Sequence, residues 1–172
     1  MARLKPAAPL GTNRFMSSPP FLNDDDFARI VRHAPLISID LVLKDPEQNV
    51  LVGLRTNEPA KGCYFVPGGI IRKNETIENA FERILQAETG CIASLSDATF
   101  VGVFEHFYET SRFGHDSTHY VVLAYELKFD RRPEIRLDPQ HSGIRWMSCA
   151  NILTASDVHQ NTKAYFQAAG SR

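Results

Sequence analysis

The chain is poor in the features that would assign it to a specialised class. Its three cysteines, Cys63, Cys91 and Cys149, are odd in number and lack zinc-type pairing. That excludes a disulfide scaffold and fits small thiols in a reducing compartment, with the cytoplasm as the default. No apolar run is long enough to cross a membrane. A formal net charge of −1 gives no broad basic field, so nucleic acid is not the expected partner and phosphate recognition falls to a few local arginines. Residues 1 to 20 are rich in Pro, Ala and Ser and show neither the apolar core of a signal sequence nor a packing period. They read as an extended or disordered leader, with Met16 a candidate alternative start. Residues 21 to 172 read as one domain, long enough to bury a full core.

What is present is a mixture of strand and helix signals. Asn23 and three aspartates, Asp24 to Asp26, cap a short helix through Phe27, Ile30 and Val31, expected to pack on the sheet or on a second subunit. Strands are expected from Leu36 to Leu43 and from Val50 to Leu54, joined as a hairpin, with a third from Cys63 to Val66 leading into a glycine turn. Thr99 to Tyr108 is a long strand in which Phe100, Phe104, His106 and Tyr108 share one side, and Tyr120 to Phe129 is its antiparallel partner. The segment between them, Glu109 to Thr118, reads as a mobile loop able to close over a ligand. Gly143 to Met147 is a further strand, and short helices near Ala150 to Ala155 and His159 to Ala168 close the chain.

The richest stretch runs from Gly68 to Gly90. Gly69, Glu75, Arg83, Glu88 and Gly90 stand at fixed intervals around a helical run in which Ile77, Ala80, Phe81 and Ile84 recur three and four apart. Those four belong on a core-facing side. Glu88 returns to within roughly 20° of the Ile77 line at ~100° per residue. Its carboxylate also sits beside the helix stop Gly90, at the negative end of the helix dipole. A carboxylate there calls for a cation, either an arginine such as Arg83 or, the preferred reading, a bound metal. Oxygen ligands suit a hard ion, Mg2+ before Mn2+, with a backbone carbonyl of the Gly68-Gly69 turn as a second ligand.

The spacing resembles the Nudix box, G-x5-E-x7-R-E-U-x-E-E-x-G-U, with U aliphatic. The resemblance implies an α/β/α sandwich with a mixed β-sheet, a divalent metal, and cleavage of a nucleoside diphosphate linked to another group. The box departs from the pattern: Ile84 and Ala87 replace two carboxylates, and Cys91 takes the last aliphatic position. One essential ion per subunit is therefore expected.

Over roughly residues 21 to 166 the chain is similar to the GDP-mannose mannosyl hydrolases, a Nudix subgroup. The similarity runs through Gly53-Leu54-Arg55-Thr56-Asn57-Glu58-Pro59 to Gly69, through Val103 to Tyr108 and Thr118 to Leu123, and through Gln140-His141 ahead of Arg145-Trp146. It implies hydrolysis of GDP-mannose or a related GDP-sugar by attack at the anomeric carbon, with inversion and with GDP leaving, and it implies a homodimer. It makes His141 the base that activates water, and Gln140 a metal ligand beside Glu88 and the Gly68 carbonyl. From the residue alone, His141 is also readable as an ordinary surface or structural histidine. Arg55 falls on the leaving diphosphate, Arg83 on a supporting ion pair, and Asp40 and Tyr120 on the sugar or the diphosphate. Asp40 is equally readable as a buried aspartate bonded to backbone, Tyr120 as a core residue, and His106 as a substrate contact or a packed histidine. The subgroup commonly places an arginine directly after the Gly-Gly pair; this chain has Ile70, with Arg72 two residues on. Two other readings compete: a Nudix pyrophosphohydrolase attacking phosphorus, and a non-catalytic nucleotide-sugar-binding module.

Overall fold

A computed structural model describes residues 22–114, 116–135 and 141–167, with only the backbone for His141 and Ser142. Seven strands form one mixed sheet: β1 (Leu36–Lys44), β2 (Val50–Arg55), β3 (Tyr64–Phe65), β4 (Gly68–Ile70), β5 (Thr99–Tyr108), β6 (Thr118–Lys128) and β7 (His141–Met147). Four helices accompany them: α1 (Asp24–His33), α2 (Ile77–Thr89), α3 (Cys149–Thr154) and α4 (Gln160–Gln167). β1 runs parallel to β6 and antiparallel to β2 and β4, while β5 and β6 are antiparallel. β1 and β2 are in register only at Lys44 and Val50. Beyond that pair β4 lies against β1 and β3 against β2. The glycine turn expected after the third strand is thus itself a strand, because extended Gly68 to Ile70 completes the β1 ladder.

Alternation along the strands divides the core between the two faces of the sheet. Ile39, Leu41, Leu43 and Leu51 point to the side covered by α2, against Ala80, Phe81, Ile84 and Leu85. Val42, Val50, Val52 and Ala124 point to the opposite side, against Ile152 of α3 and Tyr165 of α4. This is the expected α/β/α sandwich. α2 has the boundaries the sequence implies: Thr76 caps it by accepting from the Asn79 N–H, and Gly90 ends it in the left-handed conformation at φ 74°. Ile77 departs from the expected stripe, since it is 41% exposed in the first turn while Ala80, Phe81 and Ile84 are buried.

Phe100 is another departure. The register shifts between Phe100 and Gly102, and such a bulge moves the preceding residue to the other face. Phe100 therefore lies tilted against Tyr125, which packs with the α2-side core, whereas Phe104 meets Tyr165 edge-on at 4.7 Å on the far side. The 109–118 connection is fastened to α1 by the Arg32–Asp116 and Arg112–Asp24 ion pairs and by Phe113 against Phe27.

Candidate functional site

Glu75 and Arg83 anchor the turn that leads from β4 into α2. Arg83 donates from Nε to Glu75 Oε1 at 2.6 Å and from Nη2 to Glu75 Oε2 at 2.8 Å, and also reaches the Ile70 carbonyl at 2.9 Å. The Arg72 N–H completes the set on Glu75 Oε2 at 2.9 Å. Burial opposes the Glu75 carboxylate, yet the Arg83 and Arg72 hydrogen bonds hold its pKa below the usual range. Arg83 is thereby committed to Glu75.

The described residues fit the metal expected near this turn. An added Cβ at Gly69 would stand 3.1 Å from Ile84 Cγ1, so β4 lies directly on α2. Glu88 is one turn beyond Ile84 on the same helix face and is half-buried. Gly68 pairs with Asp40, and a side chain on it would come within 2.5 Å of Asp40 Oδ1 and 2.8 Å of the Ile39 carbonyl. Only glycine permits this approach. Ile84 is 1% exposed and has become a core residue where the pattern has a carboxylate. Among the described residues no group of three or more His, Cys, Asp or Glu could hold a metal. Gln140 lies outside the described residues, as does the side chain of His141.

A second cluster occupies the opposite sheet face. Asp40 on β1 accepts from the Tyr165 hydroxyl at 2.5 Å, and the same hydroxyl lies 3.3 Å from His106 Nε2. Burial pushes the Asp40 carboxyl up to about 6, against the opposing Tyr165 hydrogen bond and Arg55 charge. Burial first and His159 second bring His106 down to about 4. Both groups are therefore held toward their neutral forms. Tyr120 is also raised, by burial, and Tyr108 to about 12. His159 is lowered by burial and by Arg55, and its Nδ1 accepts from the Asn161 N–H at 3.2 Å. Arg55 is the cation whose charge reaches Asp40, Tyr108, Tyr120 and His159. It also lies over the Phe65 ring at 5.3 Å.

The strands thus bring together Asp40, Arg55, His106 and Tyr120, all expected from sequence. β7 joins them through its backbone, because His141 pairs in register with Arg55. Ile70 is in register with Ser38, and Gly68 with Asp40, so the Ile70 side chain lies on the Asp40 face. Ile71 continues the ladder by donating to the Ile37 carbonyl and packs on the α2-side core. Tyr165 and His159 were missed by the sequence reading. They lie in and just before the last helix, in a segment with no motif, and only the fold brings them to Asp40. Ser38 Oγ is buried without a hydrogen-bond partner among the described residues, and a buried polar atom of this kind calls for a polar ligand or water.

The model of the NUDIX domain matches residues 34–168, which spans β1, the whole box and both clusters. The chain belongs to the Nudix family. Among curated relatives, this Nudix protein is similar to "Low-salt glycan biosynthesis protein Agl8" of Haloferax volcanii, 43% identical over 123 residues, covering 71% of this chain and 76% of that one. It is also similar to an ADP-ribose pyrophosphatase of Methanocaldococcus jannaschii, 33% identical over 70 residues, covering 41% of this chain and 40% of that one. Of solved structures, a MutT protein from Methanosarcina mazei aligns with TM-score 0.66 at 15% identity, covering 81% of this chain and 99% of that chain. The NUDIX domain of Shewanella oneidensis NrtR complexed with ADP ribose aligns with TM-score 0.62 at 19% identity, covering 87% and 98%. These structural matches speak for the fold. Family membership places the chain among the Nudix hydrolases, which generally use a divalent metal such as Mg2+. No helix among the described residues is long and apolar enough to cross a membrane.

Proposed function

We propose that this Nudix protein hydrolyses GDP-mannose or a related GDP-sugar to GDP and free sugar, by attack of water at the anomeric carbon with inversion. The observation that carries the reading is the pairing of a carboxylate-poor box with a polar cluster built around Arg55. Ile84 is packed into the core and Ala87 has no donor atom, so α2 lacks the carboxylates with which several ions would activate water at phosphorus. Arg55 supplies a positive charge amid tyrosines, histidines held toward their neutral forms and the buried Asp40, an environment in which a guanidinium stabilises a departing diphosphate. Arg72 is a second candidate for that role.

Glu88, the Gly68 carbonyl and Gln140 would hold one Mg2+, which when bound supplies charge stabilisation for the leaving diphosphate. His141 is the base for water. Its backbone is in register with Arg55, so base and leaving-group cation come from neighbouring strands. With a diphosphate leaving group no acid is required. Asp40, His106 and Tyr120 contact the sugar, and Ser38 Oγ offers a further hydrogen bond. The glycan-biosynthesis name of the Haloferax relative supports a sugar-nucleotide substrate. We further propose that the protein acts in the cytoplasm as a homodimer with one ion per subunit.

The 33% identity to an ADP-ribose pyrophosphatase favours a second reading, attack at phosphorus. Phosphorus NMR of GDP-mannose with the protein and Mg2+ separates the two. GDP and free mannose support the first, and GMP with mannose 1-phosphate supports the second.

A further inference from the structure

The Tyr165 hydroxyl bridges two groups that the proposed reaction uses, and its two distances are unequal. The contact to Asp40 Oδ2 is 2.5 Å and that to His106 Nε2 is 3.3 Å. A hydroxyl has one proton to give. The short distance belongs to an O–H donated to a carboxylate, while the longer one suits an N–H donor. The phenol therefore gives its proton to Asp40 and accepts from His106, which fixes the proton of the neutral imidazole on Nε2. Tyr165 is 3% exposed and its ring is clamped edge-on against Phe104 at 4.7 Å, so the hydroxyl has little freedom to turn elsewhere.

We infer that Tyr165 is a positioning residue that locks His106 in the Nε2–H tautomer and leaves Nδ1 as the only acceptor of the ring. Any polar contact a substrate makes at Nδ1 must then be donated by the substrate. A sugar hydroxyl can do this; a phosphate oxygen cannot. Asp40 Oδ2 and the Tyr165 oxygen are already engaged with each other and with Nε2, so Nδ1 is the acceptor this chain offers a sugar hydroxyl, while Arg55 offers donors to the diphosphate. This rests on the GDP-sugar reading for the identity of the ligand, but the tautomer itself is a property of the substrate-free protein.

The test is long-range proton–nitrogen NMR of the imidazoles in the ligand-free protein, with His106→Gln assigning the His106 signals. Wild type is expected to show protonated Nε2 and pyridine-like Nδ1. Tyr165→Phe, which keeps the ring but removes the bridging oxygen, is expected to show a mixture of both tautomers. A wild-type ring protonated on Nδ1 overturns the proposal even if the variant fails to fold. An unchanged tautomer in a folded Tyr165→Phe protein overturns it as well. A second arm uses GDP-mannose and its monodeoxy-sugar analogues: discrimination against one analogue should shrink by about tenfold in Tyr165→Phe. Equal discrimination at every position in both proteins would contradict the role. If GDP-mannose is not turned over at all, the functional reading fails while the tautomer measurement still decides this inference.

Discussion

Replacing Arg83 by Met removes the guanidinium but keeps much of the stem. In the structure this deletes two bonds to Glu75 and one to the Ile70 carbonyl. Glu75 is then left with the Arg72 N–H alone among these partners. The Arg83 side chain is 29% exposed and that of Glu75 13%, so the pair lies between two limits. Breaking a buried ion pair costs about 3–5 kcal/mol, whereas exposed pairs are worth about 0–1 kcal/mol. A loss of about 2 kcal/mol is expected. For a domain of this size each kcal/mol moves Tm by about 2–4 °C, so Arg83→Met should melt about 4–8 °C lower in a calorimetric scan. Glu75→Gln should be less stable too. The double variant should recover at least about 1 kcal/mol of the summed losses, because the two residues act on each other. A Tm within about 1 °C of wild type, or strict additivity, would show that the ion pair does not hold the β4–α2 turn and would remove the supporting role given to Arg83.

Three further outcomes follow from the same geometry. Glu88→Gln should abolish metal-dependent activity while leaving the thermal transition in place; full activity would remove the ligand assignment. Ile70→Arg puts a guanidinium on the Asp40 face of β4, and should raise kcat toward the ~10^2-fold typical of one transition-state donor; no change would mean that Arg72 already fills the role. His106 has its folded pKa lowered to about 4 from the ordinary 6.5. Its contribution to stability is therefore complete above pH ~6.5 and is lost as pH falls from there through about 4, to the extent of about 2–3 kcal/mol. Asp40, raised to about 6, acts in the opposite direction over much of this window. The effect should be read as the difference between wild type and His106→Gln in urea titrations, and a difference flat across that range would refute it.

The box was legible because its chemistry is local. The Ala80-Phe81-Ile84 stripe and Gly90 mark α2 within a single run of sequence, and the structure returns that helix with the same buried stripe and stop. Arg55, Asp40, His106 and Tyr120 were legible through resemblance, not through spacing, since they lie on four strands and meet only when β1, β2, β5 and β6 assemble. Tyr165 left no mark of either kind. A tyrosine on the buried face of a short helix looks like core from sequence, and indeed it packs on Phe104; its hydroxyl matters because α4 happens to cross Asp40. The face of Phe100 was misread for a similar reason, because a bulge inserts one residue without changing the composition of the strand. β4 was read as a turn because glycines that permit close approach to Asp40 look like glycines that permit a bend.

The central claim is that water attacks carbon, and the direct measurement is hydrolysis of GDP-mannose in water enriched in oxygen-18, with mass analysis of both products. The account predicts that the label appears in mannose and not in the nucleotide, with β-mannose as the first anomer seen by proton NMR. Label in GMP or in mannose 1-phosphate would place the attack at phosphorus and contradict it.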